Sequence, residues 1–147
     1  MNKPEQLILY NRIIFILAIV GILIAAYVTQ SFLRGSPIVC VTSGCELVRK
    51  NPASYLFGKI PVPAVGLLGY SLIAVFTFLR TLSKNHFKKY LYGILGMGAF
   101  GVIFVSWFTY TELFVIKGVC TWCAISAINM YVIFGLATKS YLLQTRK

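Results

Sequence analysis

Charge is scarce in this sequence. Only 12% of the residues are charged, where a water-soluble domain carries about 25%. Water is therefore excluded as the solvent for most of the surface. Acids are scarcer still: three residues in 147, beside a single histidine, His86. No cluster of His, Asp or Glu exists to hold a metal, and His86 lies in a short basic stretch where a solvated side chain is expected. Cysteine is limited to Cys40, Cys45, Cys120 and Cys123. A c-type haem needs His directly after C-x-x-C; Ala124 stands there, which excludes it.

Apolar residues fill the chain instead, at 59%. Residues 13–33, 60–79, 90–111 and 118–138 are charge-free runs of 21, 20, 22 and 21 residues. Each matches the roughly 20 residues that cross about 30 Å of hydrocarbon as a helix. The expectation is an all-α integral membrane protein: a four-transmembrane-helix bundle, with residues 1–147 as one domain. The first run exceeds the roughly 7–15 residues of a signal-peptide core, so it reads as a span that is kept. A net charge of +11 would suggest nucleic acid in a soluble protein; here the basic residues flank spans and set orientation, and no nucleic acid is expected. The lead, second loop and tail hold nine Lys and Arg residues, including Lys84 and Lys147, against five in the other two loops. Both termini and the second loop are then cytoplasmic, and all four cysteines fall on the outer, oxidising side.

The first outer loop, 34–59, is more than a spacer. Gly35, Ser36 and Pro37 break the first helix. Val39, Val41, Leu47 and Val48 give the loop an apolar side, so residues 45–50 are expected to form a short interfacial helix ended by Pro52. Pro61 and Pro63 suit the first turn of span two. Such a loop would cap the bundle end above Cys120 and Cys123. Gly66, Gly69, Gly93, Gly96, Gly98 and Gly101 read as sites of close helix packing. Tyr70, Trp107, Phe108, Tyr110, Phe114 and Trp122 read either as an interfacial belt or as the wall of a pocket for a flat ring. The stretch 112–117 reads as the third loop, and with no titratable side chain placed beside the cysteines the proton acceptor is left open.

Cys120-Thr121-Trp122-Cys123 places two thiols at i, i+3, on one face of a helix. If that helix starts near Val119, free N–H groups of its first turn favour thiolate. Zinc is poorly served, because one pair is C-x4-C and the pairs stand 75 residues apart. Purely structural disulfides are the bland alternative, yet a C-x-x-C bridge closes too small a loop to stabilise much. A relay uses all four thiols. A partner thiol reduces Cys40/Cys45, that pair reduces Cys120/Cys123, and an acceptor in the membrane takes two electrons.

The residues also resemble those of the vitamin K epoxide reductase (VKOR) family. The resemblance is carried by Cys40-x4-Cys45-x2-Val48, Leu56-Phe57-Gly58 with Pro61, Gly66-Leu67-Leu68-Gly69-Tyr70, and Cys120-Thr121-Trp122-Cys123-x-x-Ser126. It implies a bundle around a quinone, ubiquinone or menaquinone, with Cys123 beside the ring and Cys120 exchanging with the loop. It implies that Cys45 meets Cys120, and that Cys40 meets an external thioredoxin-fold (DsbA-like) protein, separate from this chain, in a bacterial inner membrane. The resemblance further implies that the disulfides so made serve the folding of exported proteins. Candidate quinone contacts are Asn51, Phe57, Tyr70, Phe114, Trp122 and Ser126. Vertebrate members hold their naphthoquinone with an Asn and a Tyr; Val62 and Ala127 stand here, so electron transfer to a quinone is expected rather than epoxide reduction. Two alternatives remain open. One is a DsbB-like quinone reductase, whose C-x-x-C lies at the first loop and second span. The other is a non-enzymatic subunit with structural disulfides.

Overall fold

The structure, a computed structural model, describes residues 2–83 and 85–146. Lys84 and Lys147, counted above among the basic flanks, lie outside the described residues. The order is α1 (Lys3–Arg34), α2 (Gly44–Lys50), a 3-10 turn (Pro52–Ser54), β1 (Tyr55–Leu56), β2 (Ile60–Pro61), α3 (Val62–Leu82), α4 (Phe87–Tyr110), a π-helical turn (Thr111–Ile116) and α5 (Thr121–Thr145). Four segments, Lys3–Arg34, Val62–Leu82, Phe87–Ile116 and Thr121–Thr145, are long and apolar enough to cross a membrane. They make this a multi-pass helical membrane protein.

The helices outrun the charge-free stretches that mark them. α1 begins ten residues before Ile13, with Pro4 in its first turn and a capping box between Asn2 and Glu5. Polarity limits which residues enter lipid, but it does not stop a helix whose first turn is capped. α1 ends where Gly35 takes φ 65°, a left-handed conformation suited to glycine. Pro61 caps α3 and Pro63 occupies its first turn, where the missing N–H has no partner to lose. Ile60 and Pro61 pair as β2 with β1 instead of opening the span.

The four long helices form a ring: α1 packs on α3, α3 on α4, α4 on α5, and α5 back on α1. Ile14, Ala18, Tyr70, Ile73, Ile94 and Ile133 fill its middle. A second cluster at one end joins Val28, Phe32, Val48, Phe108, Cys45 and Cys120. Outward-facing Ile16, Leu23, Leu68, Ile103 and Ile128 stay exposed, which suits a lipid surround. The Tyr70 ring lies against Gly21, and Met130 against Gly101. Gly66 and Gly69 depart from the packing expectation: no neighbour approaches them, because they face a cavity.

The start of α1 and the end of α5 lie at the other end, where the Lys3 Nζ donates to the Arg146 carbonyl at 2.7 Å. There Arg80, one of the basic residues counted with the second loop, is 1% exposed inside the bundle. Its guanidinium donates to Asn11 Oδ1 and Ser140 Oγ and lies 4.0 Å over the Phe87 ring.

Candidate functional site

The loop between α1 and α3 lies across the bundle end and is tied to the start of α5. Trp122 Nε1 donates to the Val39 carbonyl at 2.7 Å. The Tyr27 hydroxyl accepts from Val39 N, and Thr42 Oγ1 donates to the Val119 carbonyl. Tyr27 and Trp122 rings meet edge to face, 5.4 Å between centroids. Gly44 permits this docking, because a Cβ there would collide with the Val119 backbone. Gly118 in turn receives the Leu47 side chain. Within α2, Glu46 accepts from Ile38 N and pairs with Arg49 at 2.7 Å. The Arg49 hydrogen bond holds the Glu46 carboxyl below its ordinary range.

This docking brings the cysteines together. Cys40 and Cys45 form a disulfide, while Cys120 and Cys123 are free thiols. The Cys45 and Cys120 sulfurs lie 3.2 Å apart, although 75 residues separate them. Cys40 completes a trio of sulfurs within 4.8 Å of one another. Burial differs sharply across the set. Cys45 and Cys120 are fully buried, whereas Cys40 is only half-buried between exposed Val39 and Val41. Cys120 caps α5, just outside the spanning helix. A hydrogen bond from Cys123 lowers its thiol from 9.0 to about 7, aided by the N–H groups of Cys123 and Trp122 and opposed by burial. A thiolate at a helix N-terminus is so favoured.

Cys123, in the first turn of α5, opens onto a cavity between all four long helices, about 740 Å³ including its open mouth. The wall is apolar and aromatic, with Val62, Gly66, Met97, Phe100, Phe104, Phe108 and Ala127. Its polar groups are few. The Tyr70 hydroxyl donates to the Ser126 carbonyl at 2.7 Å and lies 3.0 Å from Ser126 Oγ.

Of the six expected quinone contacts, Tyr70, Trp122 and Ser126 line this cavity. The other three lie elsewhere. Asn51 turns into its own loop, where Oδ1 accepts from Ala53 N at 2.9 Å. Phe57 sits at the tip of the β1–β2 turn and is 96% exposed. Phe114 points outward from the π turn and packs on Tyr110. The expected loop 112–117 is, as far as Ile116, the π-helical end of the third span, with Lys117 capping it. Its Glu112 is 1% exposed, and Oε1 accepts from Cys120 N at 3.4 Å. A titratable side chain therefore does stand at the site. The hint in the sequence was an acid at the edge of a charge-free run, eight residues before Cys120.

No curated protein matches the chain. A family model described as the Vitamin K epoxide reductase family matches residues 12–138 of the 147. With that match, the chain belongs to the vitamin K epoxide reductase family, and it is a membrane disulfide oxidoreductase.

Proposed function

We propose that this chain reoxidises a separate thioredoxin-fold, DsbA-like protein and passes the two electrons to a membrane quinone. The observation that carries this reading is the 3.2 Å contact between Cys45 and Cys120 sulfurs. It joins an outer disulfide to an inner dithiol that opens onto an apolar cavity.

The order of exchange follows from access. A partner thiolate attacks Cys40, the more exposed sulfur, and the Cys40–Cys45 bond breaks with Cys45 leaving as thiolate. A second partner thiol then releases Cys40, so the partner leaves oxidised. Cys45 attacks Cys120 of an oxidised Cys120–Cys123 pair, expelling Cys123 as a thiolate that takes up a proton. Cys40 closes back on Cys45 and frees Cys120. The result is an oxidised loop over a reduced inner pair, the state seen here. A quinone, when bound, supplies an acceptor for two electrons and two protons.

The cavity residues fit such a ring. Phe104, Phe108 and Trp122 offer apolar and aromatic surface, and Tyr70 and Ser126 offer the polar groups. Cys123 is the thiol that would face it. Asn51, Phe57 and Phe114 are left out of that contact set. The membrane we assign is the bacterial inner membrane, with both termini cytoplasmic and the cysteines outside. The surplus of basic residues in lead, second loop and tail supports that orientation.

The test uses purified chain in lipid nanodiscs with a reduced DsbA-like protein and a short-tailed quinone, followed by quinone ultraviolet absorbance. Quinone loss dependent on all four cysteines is expected. A Cys40→Ala variant that still oxidised the partner at full rate would overturn the assigned order. A membrane-impermeant maleimide should label reduced Cys40 from outside intact cells; labelling only after lysis would reverse the orientation.

A further inference from the structure

Glu112 is a buried ionisable side chain at the cysteine end that the exchange above leaves without work. It sits on the π turn, 1% exposed, with Oε1 bonded to the Cys120 N–H and its carboxyl facing the Cys123 thiol. The other two acids are committed elsewhere. Glu5 caps α1 at the far end, and Glu46 pairs with Arg49 and Lys50. Among the described residues no lysine or arginine forms a salt bridge with Glu112. A carboxyl buried without a cation is costly, and an apolar side chain would fill the same place without that cost. The turn that carries it is also of a rare kind, one that recurs at functional sites.

The chemistry next to it lacks a base. A dithiol that becomes a disulfide sheds protons along with its two electrons. The titratable groups facing Glu112 are Cys120 and Cys123 from α5. From α2, Cys45 is tied in its disulfide, and Glu46, Arg49 and Lys50 pair among themselves.

We propose that Glu112 is the proton acceptor of the inner thiol pair. As the Cys120–Cys123 bond forms, the Cys123 S–H bond breaks and a Glu112 O–H bond forms. Two electrons leave the sulfurs for the quinone, and the proton on Glu112 follows to a quinol oxygen. Cys120 enters this step as thiolate, having already lost its proton. The second quinol proton therefore returns from water at the cysteine end. This assignment rests on the quinone-directed reading above.

Glu112→Gln tests it, because the amide keeps an oxygen for the Cys120 N–H but removes the base. The assay uses full-length chain in nanodiscs, dithiothreitol as thiol donor, and a short-tailed benzoquinone or naphthoquinone. Quinone reduction should fall about a hundredfold, within the range for loss of a general base. Its rate should then climb with pH more steeply than in the parent, since Cys123 must ionise unaided. Glu112→Asp should recover part of the loss. In a Cys40→Ser background the Cys45–Cys120 mixed disulfide should still be trapped, which reports an intact fold. A second readout needs no quinone. Redox-difference infrared spectra of the inner pair, poised with dithiothreitol, should show a carboxyl band change that Glu112→Gln abolishes.

Full quinone reduction by Glu112→Gln with an unchanged pH profile would overturn the proposal. So would loss of the trapped mixed disulfide together with quinone reduction, which marks a structural role. A parent chain that reduces neither quinone would instead sink the functional reading. The infrared band then decides for Glu112 on its own, and a parent spectrum without a carboxyl change overturns the assignment.

Discussion

At the scale of single residues, the four cysteines differ in access and in acidity, and those differences order the electron path. Cys120 is buried against Cys45, so removing it should isolate the inner pair from the loop. In Cys120→Ala, partner oxidation should stop after one turnover, with the loop pair accumulating reduced, as read by gel shift after alkylation. Cys40→Ala should instead leave the inner pair able to reduce quinone once when pre-reduced, while the partner stays reduced. The pH dependence has a definite sign. The Cys120 thiol is lowered from 9.0 to about 7, so its thiolate is present above that pH and lost below it. Attack of Cys120 on the loop disulfide, the reverse of the productive step, should rise through about pH 7 and then level off. Stopped-flow trapping of the mixed disulfide checks this; a rate that keeps climbing toward pH 9 would show an ordinary thiol.

At the scale of elements, the docking of α2 on the start of α5 decides whether the pairs meet. That docking needs Gly44, which leaves room for the Val119 backbone, and Trp122, which anchors the Val39 carbonyl. Gly44→Ala should push the loop off the bundle. The yield of Cys45–Cys120 mixed disulfide in a Cys40→Ser background should then drop at least tenfold, with bundle helicity unchanged by circular dichroism. Trp122→Phe removes one hydrogen bond worth about 1 kcal/mol, so its effect should be about fivefold. If Gly44→Ala traps the mixed disulfide as readily as its parent, α2 is not what brings the sulfurs together.

At the scale of the whole molecule, the two ends have separate tasks. The cysteine end holds the site, and the opposite end, where Lys3 meets Arg146, holds a buried polar knot around Arg80. Replacing Arg80 with Met leaves the buried Asn11 Oδ1 and Ser140 Oγ without that donor, at a cost of about 1–3 kcal/mol. The thermal midpoint in detergent should drop by several degrees. Quinone reduction per folded molecule should stay near the parent rate, because Arg80 does not line the cavity. A loss of turnover without a loss of stability would show that the two ends are coupled.

The spans, the helix end at Gly35, the proline-led start of the second span, the short helix over Cys45 and the redox character of C-x-x-C were legible in the residues. Each depends on local chemistry: apolar length against bilayer thickness, left-handed glycine, proline without an N–H, and thiols on one helix turn. Boundaries were less legible, since capped polar flanks continue the helices past the charge-free runs. Asn51, Phe57 and Phe114 looked like pocket residues, but a side chain's direction depends on how its loop or turn folds back. Gly66 and Gly69 looked like packing sites, yet they face the cavity, because the neighbour across from them was not encoded in their spacing. Glu112 looked like part of a connector, since nothing local announces a π turn. Sequence alone determined the membrane bundle and its sulfur chemistry, because both follow from residue type and spacing along the chain. Tertiary structure alone decided that Cys45 touches Cys120, that Cys123 opens on an apolar cavity and that a carboxyl stands beside them. Those contacts join residues far apart in the chain and exist only once the loop has closed over the helices.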